Sequence, residues 1–230
     1  MRFRRGARLD ASQVSDRRRA GAPVAIGAGG GLIGLVVLLV TLLGGGGGSG
    51  LALGGDEPAT DLSAECQTGE DAAQSEDCRI LAVVNSVQES WSRRLDGYQE
   101  VDTVFFSGGT STGCGSATSA VGPFYCPLDR TVYIDLDFFD DLRTRFGASG
   151  GPFAEAYVIA HEYGHHVQNL TGVLERSQDG TTGAGSSSVR VELMADCLAG
   201  MWAEDAERTE VIEDLTQEAV SYTHLTLPTN

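Results

Sequence analysis

The sequence contains no lysine. Its 16 cationic residues are all arginines, set against 32 Asp and Glu for a net charge of −16. Seven of those arginines, Arg2, Arg4, Arg5, Arg8, Arg17, Arg18 and Arg19, crowd the N-terminus, so the remainder is strongly acidic. That balance argues against the basic footprint of a nucleic-acid-binding protein. With Arg, Ala and Gly abundant, the missing lysine reflects GC-rich coding more than chemistry. None of the five cysteines stands in a Cys-x-x-Cys pair, which argues against a structural zinc ribbon. No internal repeat is visible.

Charge is also missing from Gly21 to Leu43, a run whose second half reads Leu-Ile-Gly-Leu-Val-Val-Leu-Leu-Val-Thr-Leu-Leu. Crossing a bilayer takes about 20 apolar residues, so the run is long enough. No Ala-x-Ala site follows it, which favours an uncleaved anchor over a removed signal peptide. Arginines ahead of the span predict a cytoplasmic tail over 1–20, a transmembrane helix over 21–43 and an extracytoplasmic remainder, in a single-pass protein of the bacterial cell membrane. Residues 44–77 read as a Gly-rich, then acidic, linker. An exported domain makes Cys66–Cys78 and Cys114–Cys126 natural local disulfides, with Cys197 left over as a small buried hydrophobe.

Beyond the linker, Ile80, Val83, Val84, Val87, Trp91 and Leu95 recur at three- and four-residue steps and predict a packed helix over 79–95. Val101 to Phe106 reads as a strand and Ser107 to Thr118 as a loop. Thr131 to Asp137 alternates apolar and polar residues, as a half-buried strand does, with Asp135, Asp137, Asp140 and Asp141 forming a solvated acidic edge rather than a calcium site. A short helix is expected over 138–146 and another over 209–220.

The informative stretch is Ala160-His161-Glu162-Tyr163-Gly164-His165-His166. It contains His-Glu-x-x-His within a helical pattern over 153–170, with Pro152 in the first turn and Gly172 as the stop. On a helix His161 and His165 share one face, where two imidazoles can grip one zinc ion, and Glu162 beside them can take a proton from water. A hydrolytic zinc site needs a third protein ligand. The helix over 189–202 offers Glu192 for that place, with Asp196 one turn on to receive the other ring N–H of His161. Ala195, Ala199 and Gly200 would let another helix come close. His166 faces elsewhere and is expected to pack. Tyr157 and Tyr163 are expected in the core. The strand over 131–137 offers an edge to an extended peptide.

With these residues assembled, the chain resembles the bacterial family of putative neutral zinc metallopeptidases. The likeness is carried by the Arg-rich start with its span and glycine run, Cys114-Gly115-Ser116-Ala117, and Gly122-Pro123-Phe124-Tyr125-Cys126-Pro127. It continues through Tyr133-Ile134-Asp135-Leu136, the motif helix, and Glu192-Leu193-Met194-Ala195-Asp196-Cys197-Leu198-Ala199-Gly200. The resemblance implies an α+β, zincin-like domain over 78–220, made of a small sheet, the His-Glu-x-x-His helix and a Glu-bearing helix. It implies one Zn2+ per chain, peptide or protein substrates, ligands His161, His165 and Glu192, and Glu162 as catalytic base. The alternative is a non-catalytic envelope protein that binds zinc and partners. Members of the family continue well beyond the Glu192 helix. Here residues 221–230 read as a foreign tail, and His224 within it is not assigned to the site.

Overall fold

The computed structural model describes residues 1–18, 61–139 and 151–215. The expected span over 21–43 and the tail over 221–230 lie outside these residues. Among the described residues no helix is long and apolar enough to cross a membrane.

The chain opens with two short strands, β1 (Arg2–Phe3) and β2 (Val14–Asp16), separated by a 3-10 turn at Ala11–Gln13. Three helices follow: α1 (Leu62–Glu65), α2 (Gly69–Gln74) and α3 (Glu76–Arg94). Strands β3 (Asp102–Phe106), β4 (Gly109–Thr112), β5 (Gly115–Thr118), β6 (Phe124–Cys126) and β7 (Thr131–Asp135) come next. Helices α4 (Pro152–Leu170), α5 (Val173–Arg176) and α6 (Ser187–Asp205), then β8 (Ile212–Asp214), complete the order.

The main sheet has the order β2-β3-β7-β6, parallel except for antiparallel β6. Parallel strands are covered on both faces. On one face Phe105, Val132 and Ile134 join the main core with Ile159, Ala160 and Trp202 from the helices. On the other, Val104, Phe106, Cys126 and Tyr133 form a second cluster, with Phe124 stacked on Tyr133 at 5.0 Å. Every residue of β7 is therefore buried, Asp135 included. The alternation predicts a half-buried strand, but the second face is covered as well, with Tyr133 packed in the second cluster. Strand β3 pairs with the whole length of β7 on one side and β6 with Thr131–Tyr133 on the other, which corrects the peptide-binding edge expected there. Of the acidic residues, Asp135 is buried rather than solvated, Asp137 is exposed, and Asp140 and Asp141 lie outside the described residues. The outer strand on that side is β6.

Helix α3 starts three residues before the expected boundary and is buried almost all round. Several of its buried polar side chains are paired. Ser90 Oγ donates to Asp205 at 2.8 Å, Gln88 Nε2 to the Val101 carbonyl at 2.9 Å, and Trp202 Nε1 to Ser86 Oγ at 3.1 Å. Both expected disulfides are formed, Cys66–Cys78 and Cys114–Cys126.

Other expectations change or are sharpened. The polar stretch 107–118 is not a loop but the β4–β5 hairpin, whose ladder needs no apolar side chains. The acidic stretch before Cys78 carries α1 and α2, capped by Asp61 and by a Thr68–Asp71 capping box. Within 209–220, Ile212–Asp214 is a strand paired with β1 rather than a helix. The helix expected over 138–146 begins at 137–139, and its remainder lies outside the described residues. The largest departure is at the start of the chain. Residues 1–18 do not form a separate tail but belong to the same compact unit as the domain.

Candidate metal centre

Helix α4 begins with Pro152, whose missing N–H costs nothing in a first turn, and ends against Gly172 in the left-handed region at φ 70°. Its apolar side, with Ile159, Ala160 and Tyr163 fully buried, fixes which face turns to the core. The face beside it carries His161 and His165 one turn apart, their rings 4.8 Å between centroids. Helix α6 crosses α4 closely at Gly164. A β-carbon there would stand 3.0 Å from the Ala195 carbonyl oxygen, so glycine is what permits the approach. Of the small residues expected to allow it, Ala195 makes the contact, whereas Gly200 has nothing within 4 Å of its ideal β-carbon position.

That approach brings Glu192 over the two rings. His161 Nε2 is 3.2 Å and His165 Nε2 3.6 Å from Glu192 Oε2. The three ligand atoms lie within 4.8 Å of one another. Donors ~2.1 Å from a tetrahedral zinc ion stand ~3.4 Å apart, so this spacing fits one such ion. The far side of each ring fits it too. His161 Nδ1 meets Asp196 Oδ1 at 2.9 Å, and His165 Nδ1 meets Gln168 Oε1 at 2.9 Å. Both partners are acceptors, so each Nδ1 carries its hydrogen, while each Nε2 faces the Glu192 carboxylate and offers its lone pair to a cation between the rings once a cation displaces its proton. Gln168 is held in turn by its Nε2 donating to the Val191 carbonyl at 2.7 Å.

Electrostatics point the same way. Burial opposes charge on His161, but hydrogen bonding to Glu192, the Glu162 charge and hydrogen bonding to Asp196 outweigh it, pushing the pKa up to about 9. His165 is raised by a similar balance, and hydrogen bonds from the two rings hold the Glu192 carboxylate well below its usual range. The three groups form a mutually stabilising cation–anion cluster that a divalent ion would organise without protons. Glu162 differs. It is buried, burial raises its pKa, and its Oε2 accepts a hydrogen bond from the Tyr125 backbone N–H at 2.9 Å.

The structure therefore brings His161, His165 and Glu192 together, with Asp196 behind one ring and Glu162 beside the pair. The Glu192 side chain is 61% exposed, so the cluster opens to solvent on the α6 side, and one expectation about α6 is corrected. Cys197 is exposed rather than a buried hydrophobe, because α6 leaves one face to solvent. Tyr163 is a core residue bonded to Thr103 at 2.6 Å, and the Tyr157 hydroxyl donates to the Asp196 carbonyl at 3.0 Å. His166 turns away from the cluster, its ring nitrogens on the Gln99 carbonyl at 2.7 Å and the Tyr125 hydroxyl at 3.1 Å.

Sequence reasoning missed Gln168 and Tyr125. Gln168 carried a weak signal, a polar residue three positions after a ligand histidine. Tyr125 acts through its backbone and carried none.

The chain has recognisable relatives. The chain is 59% identical over 146 residues to the uncharacterized protein Rv2575 of Mycobacterium tuberculosis, covering 64% of this chain and 50% of that one. A relative in Mycobacterium bovis, uncharacterized protein Mb2605, matches to the same extent. The chain thus spans about half the length of these mycobacterial relatives. It is 38% identical over 223 residues to the uncharacterized protein YpfJ of Escherichia coli, covering 90% of this chain and 76% of that one. No solved structure matches. The family profile described as "Putative neutral zinc metallopeptidase" matches residues 1–224, and the chain belongs to that family.

Proposed function

We propose that this chain is a zinc-dependent peptidase in which His161, His165 and Glu192 hold the ion and Glu162 is the general base. The observation that carries this reading is the convergence of two imidazole Nε2 atoms and one carboxylate oxygen, each ring backed by an acceptor, next to a buried carboxylate. A bound zinc ion supplies Lewis acidity and brings the pKa of water toward ~7. Glu162 then takes a proton from the attacking water and passes it to the leaving amine. Burial makes its carboxylate a stronger base than one in water, and the Tyr125 N–H keeps it aimed. Asp196 and Gln168 fix the two rings.

The substrate on this reading is a peptide or protein. The uncharged run over 21–43 holds the protein at a membrane, and the two disulfides favour an extracytoplasmic, oxidising compartment for the domain.

The test is cleavage of a broad peptide library by the zinc-loaded chain and by its Glu162→Gln variant. We expect the substitution to remove cleavage by at least ~10²-fold while zinc stays bound. Equal cleavage by both proteins would refute Glu162 as base. No cleavage by a zinc-loaded chain carrying the full length of its relatives would favour the non-catalytic alternative.

A further inference from the structure

The first eighteen residues are built into the domain at several independent points. Strand β2 extends the main sheet in parallel register with β3, pairing Val14 with Thr103 and Asp16 with Phe105, and the Arg17 N–H continues the ladder to the Phe105 carbonyl at 2.8 Å. Strand β1 pairs with β8, and Phe3 is buried in the core. Asn85, in the middle of α3, grips Asp10 from both sides: its Oδ1 accepts from the Asp10 N–H at 2.8 Å and its Nδ2 donates to the Asp10 carbonyl at 3.1 Å. Gly69 is shaped for the segment, since a β-carbon there would stand 2.1 Å from the Arg4 carbonyl oxygen. Arg18 makes a two-pronged pair with Asp77 at 3.1 and 2.5 Å, with its guanidinium 5.7 Å from the centre of the Phe105 ring.

Sheet register, a buried aromatic, a paired core asparagine and a glycine that admits one backbone are the marks of a permanent element. A basic tail left on the far side of a bilayer could make none of these contacts. We infer that residues 1–18 and the domain lie on the same side of whatever membrane the protein meets. The inference is independent of whether the chain cleaves peptides. It also resolves a conflict in the sequence. The arginines argue for the cytoplasmic side and the disulfides for the other, yet Arg2, Arg4 and Arg18 are used in pairing to the domain, with Asp214, the carbonyls of Thr209 and Glu207, and Asp77 respectively.

Thiol accessibility in the full chain tests this. In a Cys197→Ser background, single cysteines are placed at Gly6, whose β-carbon would meet nothing within 4 Å, and at exposed Asp96 at the end of α3. Each variant is treated with a membrane-impermeant maleimide in intact spheroplasts and in inverted vesicles. The expected result is that both positions label in the same preparation and both lose labelling in the other. Recovery of both in the soluble fraction would equally put them in one compartment. Labelling of Gly6→Cys in one preparation and of Asp96→Cys in the opposite one would overturn the inference.

Discussion

The Glu162 carboxylate is aimed by a backbone group on another element: its Oε2 accepts the Tyr125 N–H of β6 at 2.9 Å. That N–H points away from the β6–β7 ladder, so strand pairing and the general base draw on opposite edges of one three-residue strand. Proline is tolerated on sheet edges and has no N–H to give. Tyr125→Pro is expected to lower kcat by about ten- to a hundredfold, the worth of one hydrogen bond to a charged group, with a smaller change in KM. Tyr125→Phe, which keeps the N–H and loses only the hydroxyl contacts to His166 and Asn169, should retain most activity. Peptide cleavage by the two variants checks this. Equal losses in both would assign the effect to the side chain.

A second relationship distinguishes the two histidines. Asp196 backs His161 from α6, whereas Gln168 backs His165 from the same helix, α4. Asp196→Asn and Gln168→Ala are each expected to weaken zinc binding by ~10- to 100-fold, the range for loss of a ligand's outer partner. Competition with a chromogenic chelator measures both. Because Gln168 also ties α4 to the Val191 carbonyl, Gln168→Ala alone should lower thermal stability as well.

The helix end that carries α6 into β8 makes a prediction about acid. Burial would raise the pKa of Asp205, but hydrogen bonds from Ser90, Arg94 and Arg93 hold it at about 2 against an ordinary 3.8. The folded state therefore binds this proton less tightly than the unfolded chain. The stabilisation is complete above the unfolded value and is lost as pH falls from 3.8 toward 2. Asp205→Asn is expected to cost about 2 kcal/mol at neutral pH, because it leaves Arg93 and Arg94 without their buried partner. Its stability should fall less steeply than wild type between pH 4 and pH 2. Urea unfolding across that range reads both effects.

What was legible in the sequence was local. The motif helix shows its start at Pro152, its face in the spacing of His161 and His165, and its stop at Gly172. The Glu192 helix and both twelve-residue disulfide loops are likewise written in short-range pattern. What was not legible depends on partners far away. Ile212 becomes a strand because Phe3 lies beside it, more than two hundred positions earlier. Residues 1–18 read as a charged tail because Phe3 and Val14 are too few to signal a core, and β2 owes its existence to the open edge of β3. The strand over 131–135 was found but placed wrongly, since alternation cannot say whether the second face is covered. Gln168 became meaningful only once α6 supplied the Val191 carbonyl that turns its amide toward His165.

If His161, His165 and Glu192 make one zinc site, native mass spectrometry of the purified chain after zinc loading and desalting will find about one zinc ion per wild-type chain, and none in a folded His161→Ala/His165→Ala variant. No stoichiometric zinc on the wild-type chain, or full zinc on the double variant, would contradict that assignment.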